Sequence, residues 1–137
     1  LKVSTRGRYA VRMLLDLVEH GGNGYVALKD VAERQGVSKQ YLEQIVTLLG
    51  TADILTATRG RGGGYKMTKE PPEITVGEVL RLTEDGLAPV ACLSGKKNTC
   101  KRAKNCKTLP MWEAFEKNVN EFFDGITLQM LLDEELG

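Results

Sequence analysis

Residues 59–64 read Arg-Gly-Arg-Gly-Gly-Gly, and no other run constrains the chain as much. The preceding residues 54–58 are rich in β-branched side chains, and a second short run, 65–68, follows. Two brief extended runs around a glycine-rich tip predict a β-hairpin. Everything before it has helical spacing. Residues 6–20 place Tyr9, Ala10, Met13, Leu14, Leu17 and Val18 on one face, and Gly21-Gly22 stops the helix. Residues 28–35 repeat the pattern with Leu28, Val31 and Ala32. Gly36 and Val37 turn the chain, and Ser38 is a good N-cap for a third helix over 39–49.

Two helices meeting at a glycine-containing turn, followed by a glycine-tipped hairpin, predict a winged helix-turn-helix. Beyond it, Pro71-Pro72 marks a boundary. Thr75-Val76-Gly77-Glu78 reads as a capping box opening a helix to about residue 85. Residues 87–107 read as a loop rich in Lys, Gly, Asn and Cys. Pro110 sits in the first turn of a long helix through Phe123. A short helix over 128–135 closes the chain. The expected fold class is mainly α with a small β wing. The expected organisation is a winged helix over 1–71, a connecting helix over 72–86, a cysteine-containing loop over 87–108, and a dimerisation helix with a terminal helix over 109–137.

Composition narrows the function classes. The chain has 137 residues, 42% of them hydrophobic, enough for one domain with a real core. No apolar run has membrane-spanning length. The N-terminal residues carry no secretory pattern, so a cytoplasmic location with reduced thiols is expected. Net charge is +1, but residues 1–70 carry 11 Lys+Arg against 7 Asp+Glu, and residues 71–137 carry 8 against 11. The basic front half points to an anionic partner. An enzyme is not expected, because the single histidine, His20, lies far from the cysteines and there is no CxxC pair. The glycines of the hairpin do not fit a nucleotide phosphate loop, since no Lys-Ser/Thr and no helix follow them.

The third helix carries two stripes. Tyr41, Ile45, Leu48 and Leu49 are expected to face the core, and Gln40, Glu43, Gln44 and Thr47 to face outward. Glutamine can pair with adenine and a carboxylate can accept from cytosine N4, which suits base reading in a major groove. Arg59 and Arg61 on a glycine-rich tip can approach phosphates or enter a narrow minor groove. The long helix near the C-terminus has Trp112, Phe115, Val119, Phe122 and Phe123 on one wide face, too apolar for a monomer surface.

All three cysteines lie in one stretch, Cys92, Cys100 and Cys106, with Lys96, Lys97, Lys101, Arg102, Lys104 and Lys107 around them. Three thiols cannot all pair within one chain. The spacing is too wide for a paired-CxxC zinc ribbon. Nearby cations favour thiolates and offset the charge of an iron–sulfur cluster. Spacing alone leaves a cluster, zinc, redox thiols and inert cysteines open.

The segments GRYAVRMLLDL, DVAERQGVSKQYLEQI, TRGRGGGY and TVGEVL resemble those of the bacterial winged-helix regulators typified by IscR, NsrR and CymR. The resemblance spans nearly the whole chain. It implies a homodimeric, DNA-binding transcription factor and repressor-type regulator, reading double-stranded DNA with a pseudo-palindromic operator. It implies that Gln40, Glu43 and Gln44 read bases and Arg59 reads the minor groove. Ser38 and Tyr41 then lie near the DNA backbone, and Lys39 and Arg61 complete the expected DNA-binding residues. It implies an iron–sulfur cluster, 2Fe–2S or 4Fe–4S, on Cys92, Cys100 and Cys106, controlling cluster-assembly genes. Members with this loop draw a fourth ligand from a histidine or an aspartate. The matching positions here are Leu109 and Arg8, leaving Glu113, Asn105, a partner residue or a small exogenous ligand. The alternatives within the family are a cluster-free CymR-like repressor of cysteine metabolism and an NsrR-like nitric-oxide sensor.

Overall fold

The computed structural model describes residues 2–22, 24–84, 86–90, 93 and 103–136. Cys92 and Cys100, with Lys96, Lys97, Lys101 and Arg102, lie outside the described residues. Helix α1 spans Thr5–Gly21, α2 Leu28–Gln35 and α3 Lys39–Gly50. The hairpin follows as β1, Leu55–Thr58, and β2, Gly64–Met67, then α4, Val76–Thr83. The long helix α5 is Leu109–Asp124 and the last, α6, is Leu128–Leu132. Single 3₁₀ turns form at Pro71–Glu73 and Ala103–Asn105. The fold class is as expected: mainly helical, with a two-stranded antiparallel wing and a long helix near the C-terminus.

The core gathers on α1. Ala10, Met13, Leu14 and Leu17 are buried there against Val31 and Ala32 of α2 and Leu42, Ile45 and Leu49 of α3. Ser4 caps α1 by accepting from the Gly7 amide. Gly36, left-handed at φ 70°, ends α2 and starts the turn into α3. The hairpin pairs Leu55 with Met67, Thr56 with Lys66, Ala57 with Tyr65 and Thr58 with Gly64. Val26 adds a single rung on the other edge of β2, exchanging backbone hydrogen bonds with Tyr65 at 2.9 and 2.8 Å. This rung anchors the tip-side end of β2 to the chain entering α2.

The C-terminal part returns to the body. Val76 N–H donates to the Ile126 carbonyl and Leu128 N–H to that of Ile74. Val76, Leu80, Leu87 and Ile126 form a second buried cluster, on which Val119 and Phe123 of α5 pack. Arg81 of α4 holds both carboxylate oxygens of Asp124, at 2.7 and 2.8 Å, and the side-chain carbonyl of Asn120 at 2.8 Å.

Several boundaries differ from expectation. The buried stripe of α3 is Leu42, Ile45 and Leu49, while Tyr41 and Leu48 lie on its shoulders, Tyr41 half-buried. Apolar residues crowd that helix closely enough to allow two stripes, and packing against α1 and α2 selects one. Helix α4 stops at Thr83 rather than near 85. Of the predicted capping box there, the structure shows the Thr75 half, accepting from Glu78 N–H. Helix α6 ends at Leu132 instead of 135, because Glu134 turns left-handed at φ 57°. The predicted loop over 87–107 includes the short turn at Ala103–Asn105.

One polar contact is buried within the helix-turn-helix. Asp16 of α1 is 3% exposed, and its carboxylate accepts from Arg34 at 2.7 Å and from Gln35 at 2.9 Å. Burial pushes its carboxyl up, but the Arg34 and Gln35 hydrogen bonds and the Arg34 charge outweigh this and hold it below the usual aspartate range. Asp16→Asn should cost about 2 kcal/mol in urea unfolding, the modest end for a broken buried pair because Arg34 reaches solvent. The folded value is lowered, so the pair's contribution is fully present above about pH 5 and fades as pH falls through the lowered value. The Asp16→Asn variant should lack that acid-dependent component.

Candidate nucleic-acid interface

The buried edge of α3 dictates what its other side presents. With Leu42, Ile45 and Leu49 inward, Lys39, Gln40, Glu43, Gln44 and Thr47 are all exposed. Ser38 accepts from the Tyr41 amide at 3.0 Å, fixing the first turn of α3. The Thr47 hydroxyl turns back to the Glu43 carbonyl at 3.0 Å, so Thr47 adds little reach. Tyr41 stays near the body: its ring meets Tyr9 of α1 edge-on, with centroids 6.1 Å apart. Arg12 lies 4.9 Å over the Tyr9 ring and donates to Gln35 at 2.8 Å. Contacts from α1 and α2 thus meet where α3 begins.

The wing stands beside this face. Arg59 and Arg61 are exposed at its tip, and Gly60 and Gly62 take φ of 92° and 79°, a turn that side-chain-bearing residues resist. Just below the tip, where β2 begins, Gly64 lies so close to the Val26 carbonyl that a Cβ would collide with it. Between wing and helices runs a cleft of about 260 Å³, lined by Lys29, Lys39, Glu43 and residues 63–65 among others. Glu43 Oε1 is 3.9 Å from Lys39 Nζ, so the one acid on this outward stripe has a cation in reach. Lys29, in the first turn of α2, is exposed on the same cleft and was not singled out from sequence. Its signal was available: a lysine opening the first helix of a helix-turn-helix. Tyr9 and Arg12 gave no comparable signal, because their contacts to α3 and α2 are tertiary.

The thiol segment is partly described. Cys106 is half-buried, and its Sγ lies 3.2 Å from the Thr108 hydroxyl at the start of α5. Lys104, Asn105 and Lys107 around it are exposed. Leu109 is half-buried, and Glu113 lies one turn further along α5. Arg8 is exposed and donates to Thr5, and His20 is exposed in the last turn of α1. Among the described residues, no three His, Cys, Asp or Glu side chains converge.

A polar recognition helix flanked by an arginine-tipped wing defines a winged helix-turn-helix protein. Known proteins carry this further. The Rrf2 family, described as iron-dependent transcriptional regulators, matches residues 3–134, and the chain belongs to that family. It is 36% identical over 137 residues to the HTH-type transcriptional regulator IscR of Aliivibrio salmonicida, covering 99% of this chain and 80% of that one. It is 37% identical over 132 residues to the protein rrf2 of Nitratidesulfovibrio vulgaris, covering 96% and 87%. Among solved structures, T. potens IscR superposes with a TM-score of 0.75 at 38% identity, over 98% of this chain and 88% of that one. CymR, the global cysteine regulator of B. subtilis, superposes with a TM-score of 0.78 at 33% identity, over 98% of both chains. The protein is therefore a DNA-binding transcriptional regulator, not an enzyme. No helix among the described residues is long and apolar enough to cross a membrane.

Ser38 sets the first turn of the reading helix, so its loss should be felt in stability. Ser38→Ala should lower the unfolding free energy by about 1 kcal/mol. An unchanged denaturant midpoint would show that the cap contributes nothing.

Proposed function

We propose that the protein is a homodimer that reads a pseudo-palindromic operator and senses iron–sulfur or redox status through its three thiols. The observation that carries the DNA part is the exposed Gln40, Glu43 and Gln44 stripe beside the Arg59 and Arg61 wing. In this reading Gln40 and Gln44 pair with base edges, and Glu43 accepts from a cytosine amino group. Arg59 enters the minor groove, and Ser38, Lys39, Tyr41 and Arg61 lie along phosphates. Glu43 acts against wrong sequences too, because a carboxylate near phosphates is unfavourable without a donor to receive. The two-fold dimer places its half-sites about 10 base pairs, or a multiple, apart.

Dimerisation would rest on α5. Met111 is 54% exposed, Phe115 41% and Phe122 59%, an apolar face suited to a second copy of the same helix.

Soft thiolates in a basic segment suit an iron–sulfur cluster, 2Fe–2S on the family's example, with Cys92, Cys100 and Cys106 as ligands. Cys106 supports this: its sulfur is half-buried just ahead of α5, 3.2 Å from the Thr108 hydroxyl. The cluster would supply a redox- and oxidant-labile centre whose gain or loss reports iron supply. The segment leads from α4 to α5, so ligation there would shift the balance of DNA-competent states. The fourth donor is open, since Leu109 offers no lone pair and Arg8 is a cation. Glu113 and Asn105 remain, as does a partner or exogenous donor. Arg8 also weighs against an NsrR-like ligand set. The CymR-like reading has its own support in the likeness to B. subtilis CymR over 98% of both chains.

Two measurements test these parts separately. Arg59→Ala should bind a promoter fragment carrying the operator about tenfold more weakly, with a salt slope smaller by about one. An unchanged slope and affinity would take the wing out of the interface. For the thiols, anaerobic reconstitution with iron and sulfide should give visible absorption and equal iron and sulfide contents. Alanine at Cys92, Cys100 or Cys106 should abolish both. A parent protein that stays colourless favours the cluster-free CymR-like reading.

A further inference from the structure

Helix α5 meets α4 near its C-terminal end, and two kinds of contact hold it there. Val119 and Phe123 pack on the cluster of Val76, Leu80 and Ile126, and apolar burial of this kind carries no preferred direction. Arg81 supplies the direction. Its guanidinium donates from Nη1 to Asp124 Oδ1 at 2.7 Å, and from Nη2 to Asp124 Oδ2 and to Asn120 Oδ1, each at 2.8 Å. Asn120 and Asp124 share one side of α5, so a single planar fork grips two successive turns. Asn120 is itself oriented, because its side-chain amide donates to the Glu116 carbonyl at 2.9 Å. Gly77, one turn before Arg81 on the same side of α4, makes the approach feasible. A Cβ there would collide with the Asp124 carboxylate and crowd the Asp124 amide nitrogen.

The side chains of Arg81 and Asp124 are 40% and 47% exposed, so the fork adds modestly to stability. Its larger effect is on direction, since it restricts how α5 can tilt and roll on α4. The rest of α5 is a lever turning on that point. Met111 lies about 20 Å from Asp124 along the helix. A tilt of about 10° at the fork therefore moves Met111 by about 3 Å, close to the rise of one base pair.

We propose that Arg81 is a positioning residue that fixes the angle of α5 on the winged helix, and through it the half-site spacing that the dimer accepts. The proposal rests on the preceding reading that two copies pair through α5 and bind a two-fold operator. In such a dimer each winged helix is carried by its own α5, so the angle at Arg81 enters once from each protomer. One base pair more or less between half-sites shifts one of them by about 3.4 Å and turns it by about 35°. A fixed angle admits one spacing, and a loose angle admits several. Loosening also weakens binding at the right spacing, because the angle must then be ordered on the DNA.

The test uses the full chain as parent, Arg81→Met and Arg81→Lys. Methionine keeps an apolar stem and loses the donors, while lysine keeps the charge and loses the planar fork. Gel shifts measure affinity for the operator and for duplexes with one or two base pairs added or removed between its half-sites. The parent should prefer the native spacing about tenfold over either one-base-pair neighbour. That preference should fall to about twofold in both variants, with affinity for an isolated half-site and the dimer mass by light scattering unchanged. A parent-like preference in Arg81→Met overturns the proposal. So does one in Arg81→Lys, which would make charge alone the agent, and so does a dimeric parent indifferent to spacing. Residual dipolar couplings of the α4 and α5 amides need neither DNA nor a dimer. They should show α5 reoriented on α4, or averaged, by about 10° or more in both variants. An α5 that keeps its parental angle and order overturns the proposal. A monomeric parent, or one that binds a half-site as tightly as the whole operator, counts against the dimer reading instead, and the couplings then judge the fork by themselves.

Discussion

The buried face of α1 is the constraint on which the other elements depend. Ala10, Met13 and Leu14 are wholly out of solvent, and α1 touches α2, α3, α4, β2 and α6. Burying a Leu or Met side chain of this size is worth about 1.5–3 kcal/mol. The recognition helix has little freedom once Leu42, Ile45 and Leu49 have joined that face. Its polar side is then directed outward by the core, with no polar contact needed to aim it. The wing is placed the same way, because the rung from Tyr65 to Val26 ties it to the chain entering α2.

Much of this was legible in the sequence because it is written in local chemistry. Glycine at 36, serine at 38 and the Arg-Gly run at 59–64 each demand a particular backbone, and each appears where expected. The outward stripe of Gln40, Glu43 and Gln44 was legible too, since those positions share one side of any helix starting at Ser38. The inward stripe was less so. Residues 41, 42, 45, 46, 48 and 49 are all apolar, and periodicity cannot choose between seams one residue apart. Tertiary packing made the choice. Leu42 took the core position, and Tyr41 was left to pack its ring on Tyr9.

What the sequence withheld are side-chain pairs between distant positions. Asp16 with Arg34, Arg81 with Asp124, and Glu84 with Ser4 look like ordinary surface charges and hydroxyls until the helices meet. Glu84 and Ser4 stand 80 residues apart, and no local rule joins them. Sequence reasoning about the thiols met a different boundary. It could weigh the softness of the donors and the surrounding charge, but a ligand set is a matter of convergence in space. Of the three cysteines, Cys106 is the one whose surroundings are described.

The way α5 is held gives the thiol segment its leverage. The ties to α4 fall in the second half of α5: Val119 and Phe123 on the second apolar cluster, and Asn120 and Asp124 on Arg81. A helix of 16 residues is about 24 Å long, so its first turns project well beyond those ties. Those turns carry Met111 and Phe115, part of the face proposed to meet a second copy, and Cys106 leads straight into them. At its other end the same segment leaves from Glu84, beneath the cap of α1. A group bound by thiols in this segment would therefore act at both ends. One end is the less anchored half of α5, and the other follows the Ser4–Glu84 contact at the start of α1. If two copies pair through α5 as proposed, a single ligation event in this segment would bear on how they are held together.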